Sequence, residues 1–330
     1  MITKAEILFS RKCNLNCHYC NMVTGKSNSR SIEEWKLGID NLKKLGVDFC
    51  CFYGAEPMLE FEKLGPVIAH AEKIGIHTTI ITSGVVPEFK EKIRQLKNWG
   101  LKSLSMSYDI VPLDPASKSK TKRTIEHLLW FKSLPNCRDV AAITTLTRTN
   151  FRKLPSSIKE NTALGIWTFF DFIHPDRGQS GSKCKGNGEG LIFLPEDYDE
   201  LHIVLQEVLN LKEQGYLVHV SKECLDLVSR NNFDALKNYN WNCARHEEFP
   251  SWVTIDYDGS VHYCDDFMEK RRKPKFDMTT LYENWDSFSE YGRELVTSRC
   301  RGCVWSTHID SHLVKNGTNP IESYVHGIGE

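Results

Sequence analysis

The run Cys13-Asn14-Leu15-Asn16-Cys17-His18-Tyr19-Cys20 sets three thiols at C-x3-C-x2-C, directly after a short apolar stretch, residues 5–10, that reads as a strand. Three close thiolates on one loop form a metal-binding pattern. They leave a cuboidal four-iron cluster one ligand short, since such a cluster takes one ligand per iron. An iron with no protein ligand can take a chelating small molecule. The same thiols with His18 also suit a zinc knuckle, an alternative that the strand-loop-helix setting argues against.

Outward from that loop, short apolar runs alternate with amphipathic stretches to about residue 175, the pattern of parallel strands joined by crossover helices. Five more strands are expected at 48–53, 77–82, 103–108, 140–146 and 166–173, each apolar enough to be buried on both faces. The first helix opens on Ser31 and Glu34 at capping-box spacing and closes near Gly46. Further helices are expected at 60–74, 87–99, 115–133 and 154–164. Six βα units are too few for a closed eight-stranded barrel. They predict an α/β fold, an open partial (β/α)6 TIM-like barrel with its chemistry at the C-terminal strand ends.

Residues 178–190 hold five glycines in thirteen positions and read as a mobile boundary loop. A helix follows at 195–214, then a mixed segment, then a Cys-rich region from about residue 241. The expected organisation is a barrel at 1–177, a glycine-rich loop and bridging helices at 178–240, and a small C-terminal α+β domain at 241–330.

Composition bounds the rest. Across 330 residues, 42 Lys+Arg against 43 Asp+Glu give a net charge of −1, with 40% hydrophobic and 26% charged residues. Disordered and collagen-like classes are thereby excluded. No apolar run in the chain approaches the length of about 20 residues that spans a bilayer. The N-terminal stretch also lacks the apolar core of a signal peptide. A cytoplasmic chain with no membrane partner is expected. In that setting its 12 cysteines read as reduced thiols and metal ligands rather than disulfides.

The C-x3-C-x-aromatic-C pattern, with Tyr19 as the aromatic, resembles the signature of the radical S-adenosylmethionine (radical SAM) superfamily, which follows the first strand of a partial barrel. Tyr53-Gly54-Ala55-Glu56-Pro57 is similar to that family's Gly-Gly-Glu-Pro turn, with Ala55 in place of the second glycine. The resemblance implies that this turn's backbone and the Glu56 carboxylate hold the methionine ammonium. Thr82-Ser83-Gly84 ends the third strand where the family often has Thr-Asn-Gly. Ser105, Ser107 and Asp109 resemble its ribose and carboxylate contacts, Ser107 being preferred because it lies nearer the strand's C-terminal end. Asn150 and His174, with Pro175 beside it, stand where relatives contact the nucleoside.

A second cysteine group is spaced C-x15-G-x4-C from Cys243 through Gly259 to Cys264, with Cys300 and Cys303 as a later C-x2-C. The stretch 252–264 reads as a β-hairpin turning at Asp258-Gly259. Four thiolates suit a 4Fe-4S cluster or a tetrahedral zinc ion equally. The arrangement resembles the twitch domain, a shortened SPASM extension of radical SAM enzymes, which implies a second, auxiliary cluster.

Of the other cysteines, Cys50 and Cys51 read as small apolar side chains of the second strand, and Cys137 and Cys184 show no partner. Cys224 precedes Cys243 by nineteen positions; a thiol at the barrel mouth can return a hydrogen atom to a substrate radical, as in related epimerases, although a buried structural thiol is the simpler reading. Two basic runs, at 118–123 and 270–275, read as solvated faces, and His308 with His312 as a surface pair.

The resemblance implies an enzyme that binds SAM at a 4Fe-4S cluster on Cys13, Cys17 and Cys20, splits it reductively and abstracts hydrogen from substrate. It also implies a one-electron reductant such as flavodoxin or ferredoxin. The expected substrate is a peptide or other small polar natural product, with epimerisation, dehydrogenation or crosslinking as outcomes. A sugar, aminocyclitol or nucleotide is the alternative, and a nonenzymatic zinc scaffold a distant one. No winged-helix leader-binding domain is expected from the N-terminal stretch, which weighs against the peptide, and nucleic acid is not expected as a partner.

Overall fold

The computed structural model describes residues 2–20, 22, 25, 28–112, 114–173, 190–230, 243, 250–264, 276–300, 306 and 309–310. Six βα repeats lead. Strands β1 (Lys4–Ser10), β2 (Phe49–Gly54), β3 (His77–Thr82), β4 (Ser103–Ser107), β5 (Asp139–Leu146) and β6 (Trp167–Phe172) all pair in parallel. They alternate with α1 (Ile32–Lys44), α2 (Phe61–Lys73), α3 (Phe89–Asn98), α4 (Pro115–Lys132) and α5 (Leu154–Ala163). After them come α6 (Tyr198–Glu213), α7 (Lys222–Arg230), β7 (Trp252–Ile255), β8 (Val261–His262) and α8 (Trp285–Arg299). This is the α/β partial barrel that the sequence predicts, with strand limits within two residues of those expected.

Local signals explain the element ends. Ser31 caps α1 by accepting from the Glu34 N–H (3.1 Å), while the Glu34 carboxylate accepts from the Ser31 N–H (2.8 Å), a reciprocal capping box. Along the strands, side chains alternate between two faces. Ile7, Phe9, Cys50, Phe52, Ile80, Leu104, Met106 and Ala142 face the helices in the main core. A second core forms under β6 from Phe170, Phe172, α5, α6 and α7. The opposite face of all six strands lines one cavity, so the sheet curls around it.

The sheet runs β6-β5-β4-β3-β2-β1-β7-β8. Sequence reasoning sees the β7–β8 hairpin, whose turn places Gly259 at φ 82, where glycine is favoured. It does not see that β7 lies parallel to β1, with Lys4 opposite Trp252 and Ile7 opposite Ile255, so one sheet joins the C-terminal hairpin to the barrel. A buried ion pair locks the ends of these two strands: Arg11 Nε and Nη2 donate to Asp256 Oδ1 (3.1 Å) and Oδ2 (2.7 Å). At the far edge Val218 bridges to Thr168 in parallel. Ser306 donates from its N–H and its hydroxyl to Asp171, both at 2.8 Å.

Candidate functional site

The loop of Cys13, Cys17 and Cys20 leaves the C-terminal end of β1, and backbone contacts fix its start. The Ala55 N–H donates to Ser10 O (2.9 Å) and the Glu56 N–H to Lys12 O (2.8 Å), so the turn after β2 is zipped to the first residues of the loop. Gly54 makes this approach possible. It sits at φ 152, and a β-carbon there would stand 2.4 Å from the Ser10 carbonyl oxygen, so the position suits glycine alone.

A cavity of ≈ 270 Å³ opens at these strand ends. Its wall holds Cys13, Cys17, Cys20 and Tyr19 from the loop, Gly54 and Ala55 after β2, Thr82 and Ser83 after β3, Ser107 of β4, and Lys120 of α4. Glu6, Cys51, Tyr53, Ile143, Thr145, Phe169 and Asp171 line its depths. Beneath lies a smaller space of ≈ 80 Å³ that shares Glu6, Cys51, Ile81, Ile143 and Phe169, and adds Lys4, Ser105, His219 and Asp310. Burial, reinforced by Lys4 and Lys212, presses His219 down to about 3, so its imidazole is neutral.

Burial also works against bare thiolates at the mouth. It pushes Cys13 up to about 11, aided by Glu56 and the other two thiols, and it raises Cys17 with Lys120 opposing. A bound metal supplies the positive charge that reverses this penalty. Among the described residues no three His, Cys, Asp or Glu side chains stand close enough to share one ion, and the three thiols ring the cavity instead.

Several expected contact residues stand behind the wall instead of on it. Glu56 is fully buried and accepts four hydrogen bonds, from Met58 N (3.2 Å), Thr82 Oγ1 (2.7 Å), Ser83 N (2.9 Å) and Ser83 Oγ (2.6 Å). The Gly84 and Val85 N–H groups donate to the same two hydroxyls, which commits the hydroxyl protons to Glu56. Glu56 thus ties the end of β2 to the end of β3, and neither it nor buried Pro57 lines the cavity. Asp109 is likewise spent inward, accepting from Tyr19 OH (3.0 Å) and Ser117 Oγ and pairing with Lys120 (2.8 Å). Asn150 braces the turn after β5, accepting from Thr147 N (2.8 Å) and donating to Thr145 O (2.9 Å).

Cys224 lies on α7 at 1% exposure, within the second core beside Leu225 and Val228, and lines neither cavity. The thiol that does reach the interior is Cys51, because neighbours on a strand face opposite ways and Cys50 takes the helix side. Lys120 departs from its basic run: Lys118, Lys122 and Arg123 are exposed, whereas Lys120 is buried at the wall.

Of the second group, Cys264 follows β8, Cys300 caps α8, and both pack with Cys243 against the main core. Cys303, His174, Pro175, Cys184, His308, His312, the basic run at 270–275 and all of the glycine-rich loop but Gly190 lie outside the described residues. Among the described residues no helix is long and apolar enough to cross a membrane.

Residues 7–147 match the family model described as the Radical SAM superfamily. A PqqA peptide cyclase of Bradyrhizobium diazoefficiens is 27% identical over 158 residues, 46% of this chain and 40% of that protein. An S-adenosylmethionine-dependent nucleotide dehydratase of Selenomonas ruminantium is 35% identical over 85 residues, 26% of this chain and 31% of that one. The matched stretch therefore spans at most about two fifths of these relatives. Streptococcus suis SuiB bound to S-adenosylmethionine shares the fold at a TM-score of 0.65 and 16% identity, over 97% of this chain and 75% of that one. AnSMEcpe with bound AdoMet and a Cp18Cys peptide does so at 0.59 and 17%, over 89% and 84%.

Proposed function

With residues 7–147 belonging to the radical SAM superfamily, we propose that this chain is a SAM-dependent radical enzyme that modifies a peptide. The observation that carries the reading is the single cavity in which three thiols, the Gly54-Ala55 turn, Ser83 and Ser107 share one wall at the C-terminal strand ends. That donor set fits the family's cofactors: thiols for a 4Fe-4S cluster with one open iron, and small polar groups beside a glycine-containing turn for an amino acid and a nucleoside. When bound, the cluster and SAM would supply one-electron and hydrogen-abstraction chemistry at this cavity.

The chain's own residues bind, orient and exclude. Cys13, Cys17 and Cys20 would hold the cluster as thiolates. Gly54 and Ala55 offer backbone to the methionine ammonium, while Glu56 acts from behind by fixing both strand ends. Ser83 and Ser107 take the polar edges of SAM, and Tyr19 closes the nucleoside side. Ile81, Ile143 and Phe169 keep water from the interior, where Asp171, Glu6 and Thr145 meet the substrate. We assign Cys243, Cys264, Cys300 and Cys303 to an auxiliary 4Fe-4S cluster in a region at 241–330 that joins the 1–177 barrel through β7. A one-electron carrier such as flavodoxin or ferredoxin supplies the electron, and the cytoplasm is the compartment that keeps such thiols reduced.

The peptide rests on the relatives' own names, which include a peptide cyclase and proteins bound to a precursor peptide and a Cp18Cys peptide. The nucleotide dehydratase match supports a nucleotide as the second reading. A test feeds the reconstituted, reduced protein with SAM and either a pool of short peptides or the common nucleoside triphosphates, and measures 5'-deoxyadenosine. Peptide-stimulated release supports the proposal and nucleotide-stimulated release the second reading. About two zinc ions per chain, with no release at all, overturns both.

A further inference from the structure

Lys120 occupies an unusual place for a lysine. Its side chain is 5% exposed, as is that of Asp109, and the two pair at 2.8 Å. Its ammonium donates to the Tyr19 phenol oxygen at 2.5 Å and stands 5.1 Å from the centre of that ring. The phenol donates in turn to Asp109 (3.0 Å), and Ser117 supplies Asp109 with a further donor. One turn earlier, Asp114 caps α4 through Ser117 N (2.7 Å) and accepts from the His18 N–H (2.6 Å). The first turns of α4 therefore grip the cysteine loop at two successive residues, His18 and Tyr19, which lie between ligands Cys17 and Cys20.

The ion pair also has a direction. Lys120 and Cys17 both line the cavity, whereas Asp109, bonded to Tyr19, does not reach the wall. Burial works against the Lys120 charge, but Tyr19 and Asp109 outweigh it and hold the ammonium above its ordinary range. A buried cation at a protein interior of low effective dielectric acts over several ångströms.

We propose that Lys120 is a positioning residue for the cluster-binding loop, aiming the positive end of a buried ion pair at the Cys17 ligand so that the reduced cluster is favoured. The inference rests on the radical SAM reading above. The addition of an electron makes a cluster more negative, so a nearby cation raises its potential and removal of that cation lowers it.

The test compares the reconstituted wild type with Lys120→Met and Lys120→Arg in a redox titration followed by electron paramagnetic resonance, with iron content measured on each. The expected result is full iron loading in all three, with reduction of the Met variant disfavoured about tenfold, ~59 mV for one electron, and the Arg variant at the wild-type potential. An unchanged potential in the Met variant overturns the proposal, as does an equal fall in the Arg variant, which marks a packing disturbance instead of a charge. Should Lys120→Met fail to fold, judged by circular dichroism, the pair is removed as a whole with Asp109→Asn added. A lower potential there supports the proposal and an unchanged one overturns it. A wild type that takes up no cluster defeats the radical SAM reading itself, a separate and recognisable outcome.

Discussion

The Arg11–Asp256 pair carries a quantitative prediction. Both side chains are about one-tenth exposed, and two charge-assisted bonds join the residue two before Cys13 to the end of β7. Removing one partner of a buried pair strands the other and costs about 3–5 kcal/mol. Arg11→Met leaves the Asp256 carboxylate with the Tyr257 N–H at 2.8 Å, and the loss is then ~4 kcal/mol on that scale. Asp256→Leu leaves the guanidinium 5.8 Å from the Tyr257 ring, a contact of ~1 kcal/mol, and comes nearer ~3 kcal/mol. The double variant strands nothing and costs ~1 kcal/mol, so the coupling in a double-mutant cycle is several kcal/mol. The assay is anaerobic urea unfolding of the whole chain, followed by fluorescence of Trp252 on β7 and Trp35 on α1. Two single variants each within ~1 kcal/mol of wild type, or a double variant equal to the sum of the singles, would refute the argument that this pair anchors the cysteine loop to the hairpin.

Three shorter predictions concern the same framework. Glu56→Gln turns an amide N–H₂ toward groups that are all committed donors. The thermal transition of that variant falls by an amount worth about 2 kcal/mol or more. Gly54→Ala forces a methyl to 2.4 Å from the Ser10 carbonyl, and the expected outcome of that strain is protein that no longer retains iron after anaerobic reconstitution. Burial raises the Asp310 carboxyl to about 6 against its Ser221 and Lys212 partners, so its ionisation weakens the fold above that pH; the penalty fades as pH falls through about 6 toward 3.8. Asp310→Asn is therefore expected to stabilise the chain by ~2–3 kcal/mol at about pH 7.5 and to match wild type near about pH 4, read from melting temperatures across that range.

The barrel was legible because six short strand-forming runs alternate with amphipathic stretches, the first helix opening on the Ser31 and Glu34 capping box. The place of β7 was not legible, since its partner β1 lies at the other end of the chain and no local pattern encodes the pairing. Lys120 was missed for a similar reason: its neighbours in the basic run are solvated, and the groups that bury it, Tyr19 and Asp109, come from other elements. A signal for Cys51 did exist, because period-two alternation requires one of two adjacent strand thiols to face the lumen. For Cys224 the simpler reading from sequence, a buried thiol, matches its place on α7 in the second core. Glu56 and Asp109 are expected from sequence as contact residues, whereas in the folded chain their oxygens are spent on neighbouring strands and helices.

The most direct measurement is electron–nuclear double resonance on the reduced, reconstituted protein with SAM labelled by ¹⁵N at the amino group and ¹⁷O at the carboxylate. If Cys13, Cys17 and Cys20 leave one iron for SAM, both labels couple to the cluster, and the coupling survives loss of the second group through Cys264→Ala and Cys300→Ala. A cluster signal that neither label perturbs contradicts the account.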